Sequence, residues 1–203
     1  MKSSSLAVIL VLLLAGTAAA STFDFRDAAT FGDAMNRASF STTVAGNTIS
    51  VTATPGEALL WWDHTDGFGV QYRYENDEIE SVERLKIQFS APVQLSSVLI
   101  TDLFNEGYLE RGSYQLNGSG NWISFFADQT PSNPNGELTV LLDPGIRVYS
   151  ITFRSPGELP LLNQKHEFSV AAIETTTVPI PAAVWLLGSG LVGLIALRRR
   201  CQR

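Results

Sequence analysis

The chain has 203 residues and a mass of 22.1 kDa, room for one ordinary domain with appendages. Its 14 Lys+Arg against 20 Asp+Glu leave a net charge of -6, which argues against nucleic-acid binding, where basic residues must replace phosphate counterions. Hydrophobic residues at 45% exclude an acidic disordered chain, and a single cysteine excludes a disulfide framework or a Cys-rich zinc site.

The N-terminus reads as a secretory signal over residues 1–20. Lys2 supplies the charge, residues 6–15 form an apolar run, and Thr17, Ala18, Ala19 and Ala20 are small enough for the signal-peptidase cleft. Cleavage is expected after Ala20.

Residues 27–38 carry the one helix-like spacing, Ala28, Phe31 and Met35. From there the pattern is that of strands. Candidates run over 47–53, 58–62, 68–74, 85–89, 95–103, 112–116, 121–126, 138–142, 147–154 and 167–173, separated by Gly, Pro, Asn or Asp. Leu85, Ile87 and Phe89 alternate with Lys86 and Gln88, and Tyr149, Ile151 and Phe153 share one face of the segment 147–154. Short strands without crossover helices predict an all-β fold, an antiparallel β-sandwich of jelly-roll type over 21–174, with an immunoglobulin-like topology as the alternative.

Between these strands lie two acidic loops. Asp63 and Asp66 fall in the first, and Asn76, Asp77 and Glu78 in the second. If the preceding strands are neighbours, these oxygens meet at one end of the domain and offer hard ligands of the kind calcium takes. Asp102, at a strand end, either caps a turn or joins them. Residues 21–177 contain Lys86, Lys165 and seven arginines against all 20 acids, so this part carries -11. Trp61, Trp62 and Trp122 are candidates for stacking on sugar rings, with one of Trp61 and Trp62 expected inward and the other outward. Catalytic motifs are sparse. His64 and His166 are far apart, and the exported part has neither a Gly-x-Ser-x-Gly elbow nor a cysteine nucleophile. The expectation is a non-enzymatic protein; the alternative is a glycan-active hydrolase using a carboxylate pair.

Residues 175–181 read as a stalk with a proline motif, and 178–197 contain no charge before Arg198, Arg199 and Arg200. A helix over 182–197 is expected to enter the bilayer, with the three arginines stopping transfer and staying cytoplasmic in the basic tail, 198–203. Pro179 and Pro181 favour extended backbone, which suits presentation in a cleft.

Val178, Pro179, Ile180, Pro181 and Ala182, followed by the apolar span and the arginines, resemble the C-terminal sorting signal of PEP-CTERM proteins over 26 residues. Ile180 stands where that signal usually has glutamate, as in its Val-Pro-Leu-Pro-Ala variant. The block from Gly67 to Phe104 also resembles central blocks of jelly-roll proteins in the same group. The resemblance implies signal peptidase and an exosortase-like transpeptidase of Gram-negative bacteria as partners. It also implies an inner-membrane intermediate and a final place at the cell surface or in extracellular polysaccharide.

Overall fold

The computed structural model describes residues 20–73, 77–105, 108–128, 136–156 and 165–176, within one unit spanning Ala20–Thr176. The strands are β1 (Ala20–Asp24), β2 (Ser39–Val44), β3 (Asn47–Thr54), β4 (Leu59–Asp63), β5 (Gly67–Gln71) and β6 (Arg84–Thr101). They continue with β7 (Arg111–Leu116), β8 (Ile123–Phe126), β9 (Leu138–Leu141), β10 (Arg147–Arg154) and β11 (Ser169–Thr176). Every pairing among them is antiparallel. The described residues are mostly antiparallel sheet, an all-β arrangement, as the alternation predicts.

The helix expected over 27–38 is much shorter. Asp27 caps α1 (Ala28–Phe31) by accepting the Ala29 amide at 3.1 Å, and a 3-10 turn over Gly32–Ala34 ends it. Phe31 is the payload of this element, buried edge-on against Phe25 and Phe68.

The long strand β6 organises the rest. Its first part lies between β3 and β10, and its second part lies between β11 and β9. One limb therefore runs β2-β3-β6-β10-β7-β8, while the other gathers β4, β5, β1, β11 and β9 around the end of the same strand. Phe23 of β1 packs on Phe89 of β6 with ring centroids 5.8 Å apart, and Phe168, next to β11, packs on Phe125 of β8 at 5.1 Å. One buried apolar cluster spans both limbs, drawing on Phe23, Phe68, Leu85, Ile87, Ile151, Phe153 and Ile173.

Several boundaries differ from the sequence reading. The segments 85–89 and 95–103 belong to one strand, because Pro92 falls at an irregularity where Val148 pairs with Val93 but Ser150 pairs with Gln88. Tyr149 sits opposite that irregularity and is 54% exposed, while Val148, Ile151 and Phe153 are buried. The expected Tyr149 face is therefore broken. Asn117 spans the irregular step: its Oδ1 accepts the Tyr149 amide at 2.7 Å, and its Nδ2 donates to the Arg147 carbonyl at 2.9 Å. β1 and β2 were not anticipated. Glu174, Thr175 and Thr176 lie in β11 and pair with Thr22, Ser21 and Ala20 of β1, so the domain continues past 174 and no stalk begins at 175.

Among the described residues no helix is long and apolar enough to cross a membrane. Residues 1–19 of the expected signal, the proline motif Val178 to Ala182, the span 182–197 and Arg198 to Arg200 lie outside the described residues, while Ala20 is the first residue of β1.

Candidate functional site: an acidic end of the sheet

Four elements meet where the acidic loops were expected to converge. β4 and β5 form a hairpin in which Asp63 pairs with Gly67. The turn is held by the Asp63 carboxylate, whose Oδ1 accepts the amides of Thr65 at 2.7 Å and Asp66 at 2.8 Å. This is an Asx turn, the local bonding that favours Asp before a reversal. The hydroxyl of Thr101, the last residue of β6, donates to the Asp66 carbonyl at 2.9 Å, which ties the turn to the neighbouring strand end.

The second loop is laid on the same place by two glycines. Gly67 has φ +89, and a Cβ there would stand 2.5 Å from the Val170 carbonyl oxygen. A Cβ on Gly69 would overlap the Asp77 carbonyl. Because Gly69 has no side chain, the Asp77–Glu78 backbone lies directly over β5, where the Val70 amide donates to the Glu78 carbonyl at 3.2 Å. The Ser169 hydroxyl holds the Asp77 carbonyl at 3.3 Å, and the Ile79 amide donates to the Phe168 carbonyl at 2.7 Å. Asp77 and Asp102 both adopt positive φ, at 98° and 57°. Non-glycine residues rarely hold such values without surrounding constraint.

The electrostatics follow from this crowding. Burial pushes the Asp66 carboxyl above its usual range, with Asp63 and Asp77 adding to the effect. Asp77 is raised in the same way, by burial and then by Asp63. Asp102 is pushed up to about 7, first by burial and then by Asp66, Asp63 and Asp77, against a hydrogen bond from Ser169 that favours its charged form. Glu78 is pushed up to about 9, by burial and then by Glu167, Asp77, Asp102 and Glu110. All four carboxyls hold their protons more tightly than free ones, because water is partly excluded and their neighbours are carboxylates.

Asp63, Asp66, Asp77 and Glu78 thus come together as their spacing suggested, while Asn76 lies outside the described residues. Asp102 joins them, and Glu110 and Glu167 were missed. Only the pairing of Ser169 with Thr101 brings Glu167 and Asp102 to one strand end, and no local pattern signals it. The donors have the hard-oxygen chemistry calcium requires. Among the described residues, however, no three His, Cys, Asp or Glu side chains are set out to hold a metal ion, so they do not amount to a coordination sphere.

The three tryptophans are all half-buried. Trp62 packs against the core, and its Nε1 donates to the Phe25 carbonyl at 2.5 Å. Trp61, opposite Gly69, has its indole N–H buried without an acceptor among the described residues. Trp122 is covered on its ring by the guanidinium of Arg154, 4.0 Å from the centroid, with that of Arg84 at 6.0 Å. Its expected stacking partner is therefore supplied in part by the protein itself. No family model matches the chain, and no curated protein does.

Proposed function

We propose that the protein is exported under its N-terminal signal and sorted by an exosortase-like transpeptidase acting at Val178 to Ala182. In this reading residues 182–197 hold an inner-membrane intermediate whose arginines 198–200 remain cytoplasmic. The mature domain is a jelly-roll-like β-sandwich that acts without catalysis as a structural or polysaccharide-binding component of the cell surface or extracellular matrix. The observation that carries this reading is the tail itself: a proline pair, an uncharged apolar span and three arginines in that order. The sandwich is supported by the aromatic contacts of Phe23 with Phe89 and Phe125 with Phe168, which join the two limbs of the sheet.

A second reading, a glycan-active hydrolase, is favoured by one feature. Glu78 and Asp102 carry raised pKa values, about 9 and about 7, in a cluster of further carboxyls, and a proton-holding carboxyl near an ionised one is the pairing that glycoside hydrolysis uses. Incubating the purified full-length protein with extracellular polysaccharide from its own cells separates the two. The expected result is retention on the polymer with no release of reducing ends. Release that disappears in Glu78→Gln would transfer the conclusion to the hydrolase, and neither retention nor release would remove both.

A further inference from the structure

The charges of this domain are sorted. β2, β3, β6, β7, β8 and β10 contain no Asp or Glu, yet they carry Arg84, Lys86, Arg111, Arg147 and Arg154, five of the nine cations between residues 21 and 177. Cross-strand register places Thr54, Arg84, Arg154, Ser113 and Ser124 in a single row across five strands. Register partners point to one face, and Arg111, two residues before Ser113, shares it. Arg84, Arg154, Ser113 and Ser124 of that row line a cavity of about 450 Å³ with Arg111, Ser81, Ser155 and the exposed Val82.

Arg84 and Arg154 are directly opposed, an arrangement of like charges that weakens a sheet. The acid-rich loops do not neutralise it, since among the described residues none of the three arginines forms an ion pair. Glu83 also lines the cavity, but one of its carboxylate oxygens accepts the Glu80 amide at 2.9 Å. The Nε–H groups of both Arg111 and Arg154 are buried and meet no acceptor among the described residues, a condition that costs free energy until an acceptor arrives. Arg154 is held in place by the Trp122 ring beneath it. A guanidinium presents its donors as a planar fork that matches the two oxygens of a carboxylate or sulfate.

We propose that Arg84, Arg111 and Arg154, with Ser113 and Ser124, bind an oxyanion group, carboxylate or sulfate, carried on a saccharide. The cavity falls in the size range of small-molecule sites rather than of a bare ion. Serine hydroxyls both donate and accept, as sugar hydroxyls demand. The exposed Phe126, paired with Arg111 on the same face, gives a sugar ring apolar surface to rest on. The inference rests on the polysaccharide-binding reading and narrows it to acidic polymers.

Calorimetric titration of the purified full-length protein with trigalacturonate, a heparin-derived disaccharide, inorganic sulfate and neutral cellotriose tests it. At least one acidic saccharide binds, more weakly as salt is raised, and which one binds identifies the carboxylate or the sulfate as the source. Arg111→Gln and Arg154→Gln each weaken binding about 10-fold or more, whereas Arg147→Gln, the same charge change at the other end of β10, leaves it intact. Arg154→Lys keeps the charge but not the fork and loses affinity as well; unchanged melting temperatures establish that the variants fold. Binding of cellotriose alone, indifferent to the arginines, would overturn the oxyanion site and leave the broader polysaccharide reading standing. Binding of inorganic sulfate but no saccharide, an Arg154→Lys protein with undiminished affinity, or no binding at all would each overturn the proposal.

Discussion

Replacing Gly69 by alanine is expected to lower stability by about 3 kcal/mol, on the order of 10 °C in melting temperature for a domain of this size. The added methyl would occupy the position of the Asp77 carbonyl, and backbone cannot swing aside as a flexible side chain can. Yielding would break the Val70–Glu78 hydrogen bond and the Ser169 contact that fix the acidic loop, and it would press on Ile79, which is fully buried. Gly56 is the matched control, with open space around its Cβ position and no left-handed φ. Alanine there is expected to be neutral or slightly stabilising, through the unfolded chain. Thermal melts of the two variants decide the matter, and a Gly69→Ala protein that melts with the wild type would refute the proposed seating of the loop.

Stability is also expected to fall as pH rises from 6 to 9. Asp102 and Glu78 have folded-state pKa values of about 7 and about 9, raised from ordinary values near 4. The folded chain therefore holds these protons more tightly than the unfolded one. The resulting stability is present in full below the ordinary carboxylate range and is lost as pH passes first about 7 and then about 9. Each differentially held proton is worth at most about 1.4 kcal/mol per pH unit, and solvent screening of these half-buried groups reduces that. A decline on the order of 5 °C across the window is the expected scale. In the Glu78→Gln, Asp102→Asn double variant the curve flattens, and the protein melts higher than the wild type at pH 9. A wild-type melting temperature constant over this window, or a double variant with an unchanged slope, contradicts the electrostatic account.

What could be read from the residues depended on how local the determining interaction was. Strict alternation in 85–89 and 47–53 made those strands visible, because a half-buried sheet selects apolar residues at every second position. β2 has no fully buried residue and among the described residues pairs only with β3, so its sequence carries no such stripe. β1 was concealed between the apolar signal and the turn at Asp27. Pro92 looked like the end of a strand and instead marks a bulged step within one.

The same distinction holds for the sites. Asp63 and Asp66 announced their turn, and the Asp77–Glu78 loop was visible from its composition. Asp102 reaches the acidic cluster only through pairing between β6 and β11. The arginine row was harder still, since Arg84, Arg111 and Arg154 stand on three different strands and are aligned only by register. One signal was there to be seen in so acidic a chain: the segments that carry these arginines, 84–101, 111–116 and 147–154, contain no carboxylate.

Intact-mass analysis of the protein purified from its native cells, combined with fractionation, tests the central claim of export and sorting most directly. The account predicts a chain that begins at Ser21, ends near the proline motif at 178–182, and is found outside the cytoplasm. A polypeptide recovered from the cytosol with Met1 and Arg203 both in place would contradict it.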